Sequence, residues 1–398
     1  MIKGVGTLYA GNVDFADLGR HATPVNDRFY DNDAIITAFA TTEKLAKVMD
    51  AHSCYDTLFL AEHHFQPEGY EVLPNGLMLA VHLTHLTERL NVAHGFPVAP
   101  MWHPLRLAED YAVADILTKG RVVFGLAKGY HTREVESVGG PLIDKAANKR
   151  MYMEMAEILY RVMREDRFSH KGEFFIIPPE VPYRGYITKD ITLTPKPKYR
   201  HDFYMPVTSS DPELLDLYFK FDGTGILSGG LSKMAEGSIR AFQDAGQRNG
   251  FDLKLGERMR LQMHFHLAET KEAALKEAQP WWEENVRMFA PFKMIGGATS
   301  DESIALIARG GDGWDEAGVP TLESEVDRGA FYAGPPDGFV AYIHEVLDRY
   351  PGLEYINVNH VFAAPSKVML EQMAVVGREV LPKVMPSYRA HGSDRAVR

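Results

Sequence analysis

Residues Val122-Val123-Phe124-Gly125-Leu126-Ala127 are apolar throughout. A strand without polar alternation is buried on both faces, as strands of a parallel sheet are. Just before it, residues 103–117 carry Leu105, Ala108, Tyr111, Ala112 and Ile116 at helical spacing. Pro104 occupies a first-turn position where its missing N–H costs nothing. Lys119 lies at the negative end of the helix dipole, and Gly120 supplies a left-handed stop. The same rhythm recurs along the chain. Strands are predicted near 4–9, 57–62, 90–98, 122–127, 205–209, 225–228, 258–267 and 354–361. Helices are predicted near 37–51, 76–87, 148–165, 212–221, 231–249, 336–348 and 367–380.

Eight strands joined by crossover helices imply a parallel sheet. They suit a (β/α)8 TIM barrel, which needs roughly 250 residues and tolerates insertions. The surplus falls after the fourth and seventh strands, at about 168–204, rich in Pro and Tyr, and at about 279–335. The second stretch contains ARGGDGWDEAGVP, whose glycines and polar residues read as a mobile loop and a candidate lid. The expected organisation is one barrel domain over 1–386 and a polar tail over 387–398. On pattern alone, an open doubly wound sheet is the alternative.

Composition narrows the class. Apolar residues make up 45% and charged residues 24%, ordinary globular usage. The net charge of −11 argues against nucleic acid and acidic membrane surfaces. A single cysteine, Cys54, allows no intrachain disulfide. No apolar run approaches the roughly 18 residues of a membrane span, and MIKGVGTLYAG lacks the apolar core of a signal peptide. A cytoplasmic protein is expected.

In a barrel the loops after the strands form the active face, which places Glu62, His63 and His64 on that rim. Successive strand residues point to opposite faces, so two adjacent histidines cannot share one metal while the strand stays regular. His264 and His266 lie on one strand face and could chelate a metal, but metal-dependent barrel hydrolases carry such a pair on an early strand, and this pair is late. No H-E-x-x-H or Cys-rich spacing occurs, and no metal is expected. GTGILS at 223–228 and GVGTLY at 4–9 both fail the G-x-G-x-x-G fingerprint.

Three collinear segments carry a resemblance. They are FLAEHHF at 59–65, MWHPLRLAEDYAVADILTKGRVVFGLAKGYHTREVESVG at 101–139, and VVGREVLPKV at 375–384. Together they resemble the bacterial luciferase-like family of flavin-dependent monooxygenases, whose fold is a barrel. The resemblance puts His63, with its neighbour His64, at the catalytic centre. It places an unusual cis peptide at Gly95-Phe96, against which the flavin ring rests. Glu62 and the Lys128-Gly129-Tyr130 loop join the cofactor contacts, Lys128 standing where the luciferase α chain has an arginine for the flavin phosphate. Ser209 and Ser210 precede a helix whose free N–H groups suit a phosphate, although the family's glutamate is absent there. Ser210 or Asp211 could equally be the N-cap, with Pro212 at the first turn.

The implied activity uses reduced FMN and O2, through a flavin C4a-peroxide, to insert one oxygen atom into a small organic substrate. The electrons would come from a separate NAD(P)H:flavin reductase, and a homodimer is expected. A deazaflavin-dependent dehydrogenase or reductase of the same superfamily is the second reading, and a catalytically silent flavin-binding subunit the third.

Overall fold

The computed structural model describes residues 2–200, 202–295 and 300–385; the expected tail over 387–398 lies outside them. Eight parallel strands form a closed barrel: β1 (Gly4–Tyr9), β2 (Tyr55–Leu60), β3 (Asn91–His94), β4 (Val122–Gly125), β5 (Phe203–Pro206), β6 (Gly223–Ser228), β7 (Met259–Leu267) and β8 (Tyr355–His360). Each pairs with its neighbours in order, and the ring closes where Gly4 of β1 pairs with Tyr355 of β8. The open-sheet alternative is thereby excluded. A short strand, Phe331–Gly334, adds in parallel to the upper half of β7.

The helix Pro104–Thr118 shows how local sequence sets the layers. Leu107, Ala108, Tyr111, Ala112 and Ala114 are buried against the barrel. Ile116, expected inside, is exposed, and Asp115 takes the buried position. The physical reason is a backbone need. Asp115 accepts N–H groups of Lys198, Tyr199 and Arg200 at 2.6–3.1 Å, fixing the lead into β5. The helix stop is also shared, since Lys119 (φ 53°) and Gly120 (φ 80°) are both left-handed.

Inside the barrel, Phe59, Ala93, Val123, Tyr204 and Ile226 form one apolar layer. Beneath it the Arg260 guanidinium crosses the barrel floor, 3.1 Å from Asp56 and 3.0 Å from the Asn357 amide oxygen. Gly6 makes room: a Cβ there would stand 2.9 Å from Arg260 and 2.6 Å from Asn357.

Both insertions are built structure. The first holds two antiparallel hairpins, His170–Lys171 with Ile176–Ile177 and Val181–Tyr183 with Tyr186–Thr188. In the second, the helix Lys271–Phe289 runs straight through Pro280, past the boundary expected at 279. The ARGGDGWDEAGVP stretch, read as a mobile loop, lies across helices Asp301–Arg309 and Gly313–Glu316. Its Trp314 is buried with Val286, Ala290 and Ile307 in a small separate core, and the indole N–H donates to the Ile307 carbonyl at 3.1 Å. The isolated aromatic and the helically spaced isoleucines outweigh the glycines, which make the turns at 310–311 and 318. Among the described residues, no helix is long and apolar enough to cross a membrane.

Candidate active site

Strand β2 stops at Leu60, and the chain folds back over the barrel mouth. The His63 N–H bonds to the Leu73 carbonyl, and Phe65 takes a left-handed turn (φ 58°). This irregular path sends the two histidines to different partners. His63 is buried, with Nδ1 3.2 Å from Glu134 and Nε2 3.3 Å from Glu71 and 3.2 Å from the Tyr130 hydroxyl. His64 turns away, its Nε2 3.3 Å from Glu62.

The His63 cluster draws on two loops. Glu134 sits in the first turn of the short helix Thr132–Ser137 after β4 and accepts from the His64 N–H at 2.9 Å and the Gln66 amide at 3.0 Å. Glu71 accepts from Tyr130 at 2.9 Å and faces His131 Nε2 at 3.1 Å. Burial opposes a charged imidazole, but the Glu71 and Glu134 carboxylates outweigh it, so His63 holds its proton above the ordinary histidine range. Burial likewise works against charge on Glu134, and the two histidines beside it hold its carboxyl below the usual range. Burial and the Glu71 charge push the Tyr130 phenol well up. The arrangement can hold a proton and pass it between a phenol, an imidazole and two carboxylates.

Donor atoms of His63, His131 and Glu134 lie within 4.8 Å of one another, a spacing that could hold a metal ion. Each of these side chains is engaged instead by a protein partner.

Glu62 does not belong to this cluster. Its carboxylate meets His94 Nε2 at 2.7 Å, the Trp102 indole at 2.9 Å and the Val98 N–H at 3.2 Å. Burial pushes this carboxyl up, and the hydrogen bonds from His64, His94 and Trp102 prevail, holding it down at about 2. With its oxygens so occupied, Glu62 fixes the loop after β3, the loop that carries the expected flavin contact. The Gly95-Phe96 peptide in that loop is cis. A side chain at 95 would run into Phe59, 2.8 Å from its Cβ.

The cationic side of the mouth follows β4 and β5. Lys128 is partly buried and makes no direct ion pair among the described residues; burial lowers its pKa, the nearby Asp211 carboxylate opposes that, and Lys145 and Lys149 add to it. Gly129 is left-handed (φ 79°), and a Cβ there would meet Val98 at 2.8 Å. Across from it, Asp211 caps the helix Pro212–Lys220 and pairs with Lys149 at 2.5 Å. Asp211 is therefore the N-cap. Ser209 lies just outside, accepting the Asp211 N–H at 3.1 Å, and Ser210 is exposed. A desolvated, unpaired ammonium close to a helix start is a fit environment for a phosphate.

The late histidines meet protein partners. His264 meets Ser228 at 3.1 Å, and His266 lies between His360 (3.3 Å) and Glu277 (2.8 Å). Sequence reasoning passed over Glu71, His131, Glu134 and Gln66. The HTRE run after Tyr130 carried a signal for two of them, a histidine and a glutamate flanking a helix start on the active rim. Glu71 and Gln66 have none, because only the fold-back of 61–75 brings them in.

A closed parallel barrel with a proton-holding cluster and an unpaired cation at its strand ends is the frame of a cofactor-dependent enzyme. The profile of the luciferase-like monooxygenases matches residues 26–346, and the chain belongs to that family. Limonene 1,2-monooxygenase of Rhodococcus erythropolis is 23% identical over 334 residues, 81% of this chain and 76% of that protein. The oxygenase component of the flavin-dependent trigonelline monooxygenase of Acinetobacter baylyi is 30% identical over 121 residues, 30% of this chain and 32% of its own length. Among solved structures, the oxygenating constituent of 3,6-diketocamphane monooxygenase from Pseudomonas putida, in complex with FMN, superposes with a TM-score of 0.70 at 17% identity, covering 96% of this chain and 99% of that one. An F420-dependent secondary alcohol dehydrogenase gives 0.64 at 12% identity, with 96% and 99% covered. These two likenesses concern the fold.

Proposed function

We propose that this protein is the oxygenase of a two-component, FMN-dependent monooxygenase. The observation that carries the reading is the unpaired, partly buried Lys128 at the cationic rim of a barrel of this family. Reduced FMN, when bound, supplies two electrons and the means to split O2, one oxygen atom going to an organic substrate and the other to water. The chain does the rest. Lys128 holds the phosphate, with Ser209 and Ser210 beside it, and the Gly95-Phe96 peptide carries the ring. His63 holds a proton between Glu71 and Glu134 and delivers it at Nε2. Phe292, from the second insertion, packs its ring 4.1 Å from His131 and 5.3 Å from Tyr130, so the 279–335 insertion acts as a cover that keeps water from the cluster.

A separate flavin reductase fits the missing dinucleotide fingerprint and the relative described as an oxygenase component. A homodimer is supported by Met78, Leu86, Val113 and Leu117, exposed apolar residues on two adjacent helices.

The test is a binding titration with reduced FMN, riboflavin and an 8-hydroxy-5-deazaflavin cofactor. FMN is expected to bind at least tenfold tighter than riboflavin. Lys128→Ala should weaken FMN roughly 10- to 100-fold, the worth of one charge-assisted hydrogen bond, and leave riboflavin unchanged. Preference for the deazaflavin would replace oxygen insertion with hydride transfer.

A further inference from the structure

The cationic rim lies over β4 and β5. On the opposite side of the mouth, between β1, β7, β8 and the helix Lys271–Phe289, is a cavity of about 120 Å³. Its walls are mainly apolar, with Phe289, Phe362 and Met369 prominent. Polar side chains in the wall have no partner for part of their hydrogen-bonding capacity among the described residues, the buried His360 Nδ1 among them. His264 uses Nε2 on Ser228 and leaves Nδ1 free, and the Asn285 amide bonds to nothing. No lysine or arginine lines the cavity, and Glu71 is its one carboxylate. Glu71 is also the residue that touches His63, Tyr130 and His131. The cavity and the proton-holding cluster thus share a wall.

We propose that this cavity seats the oxygen-accepting substrate, and that the substrate is a compact, uncharged, largely apolar molecule with one hydrogen-bonding oxygen, such as a cyclic ketone. The assignment of a substrate rests on the monooxygenase reading; the chemistry of the ligand rests on the cavity alone. An anion would have to shed its water with no cation to meet it and the Glu71 carboxylate in the wall, an unfavourable transfer. Burial holds His264 down at about 4 and His360 at about 3, so both imidazoles are neutral at pH 7 and supply no compensating charge. A cation gains little from Glu71, whose oxygens already serve Tyr130, His131 and His63. A carbonyl oxygen suits what is left, with His264 Nδ1 and the Asn285 amide as donors and the aromatic walls around the hydrocarbon part.

The test uses the full-length, flavin-free protein and two probes of matched shape, cyclohexanone and cyclohexanecarboxylate, with binding followed by ligand-observed NMR at pH 7. The ketone is expected to bind at least tenfold tighter than the carboxylate. His264→Leu and Asn285→Leu should each weaken the ketone about tenfold, the typical worth of a lost buried hydrogen bond. Both variants should keep the parent FMN affinity and melting temperature, which shows that they fold. Equal or better binding of the carboxylate, no binding of either probe, or unchanged ketone binding in both variants would overturn the assignment. Because no flavin or oxygen enters the assay, this outcome is independent of whether the protein activates O2.

Discussion

His63→Ala is expected to keep FMN affinity within a few-fold of the parent and to lose roughly 10²–10⁴-fold in turnover, the usual worth of a positioned acid–base group. The side chain reaches Tyr130, Glu71 and Glu134 and makes no contact with Lys128, so binding and proton handling are separable. Glu134→Gln is the companion. The two carboxylates raise the His63 pKa, and removing one charge lowers it, so the limb of the pH–rate profile that reports His63 must move toward acid. The same sign applies to folding: the pairing of charged His63 stabilises the protein below the ordinary histidine range and is lost as pH rises through its elevated pKa. Steady-state turnover of both variants across pH 5–9 checks this. Full activity in His63→Ala, or an unmoved profile in Glu134→Gln, would remove the imidazole from the chemistry.

Glu284→Ala should destabilise the protein by about 3–5 kcal/mol, the cost of stranding one partner of a buried ion pair. Arg28, 4% exposed at its side chain, donates to Glu284, 0% exposed, at 2.6 and 3.2 Å. Tyr70 also donates to this carboxylate, and the Gly19 N–H reaches it at 3.1 Å. Arg287 bonds the Gly19 carbonyl at 2.8 Å. One carboxylate therefore ties the second insertion to the loops after β1 and β2. Loss of its charge leaves the Arg28 guanidinium buried without compensation. Glu284→Gln keeps one acceptor oxygen and turns its NH2 toward donors that the other oxygen had served, so it should cost less than alanine but well above zero. Urea unfolding midpoints measure both. A change under about 1 kcal/mol in Glu284→Ala would mean that water reaches Arg28 and that the insertion is held elsewhere.

That tie shows what a sequence pattern can and cannot carry. All eight barrel strands were legible because their apolar runs are local, as in Val122–Gly125, and the alternation with helices fixes a parallel order. Their ends were less so. The third strand stops at His94 and not at 98 because Glu62, 36 residues before Val98, takes the Val98 N–H and bends the loop. ARGGDGWDEAGVP looked like a loop because glycine content is local, whereas the packing of Trp314 against Ile307 and Val286 is not. In the site, the histidine pair was visible and so was the loop after β4. The division of labour between His63 and His64 was not, since it depends on a chain reversal at Phe65. Glu71 and Glu134 gain their meaning only from standing on either side of one imidazole.

The proposed binding of reduced FMN, and control of its reaction with oxygen, can be tested directly. The direct measurement mixes the protein and reduced FMN with oxygenated buffer in a stopped-flow spectrometer. The expected result is a flavin absorbance distinct from oxidised FMN that outlives the reoxidation of free flavin, and that collapses sooner in His63→Ala. Reoxidation at the rate of free flavin, with no separate spectrum, would contradict it.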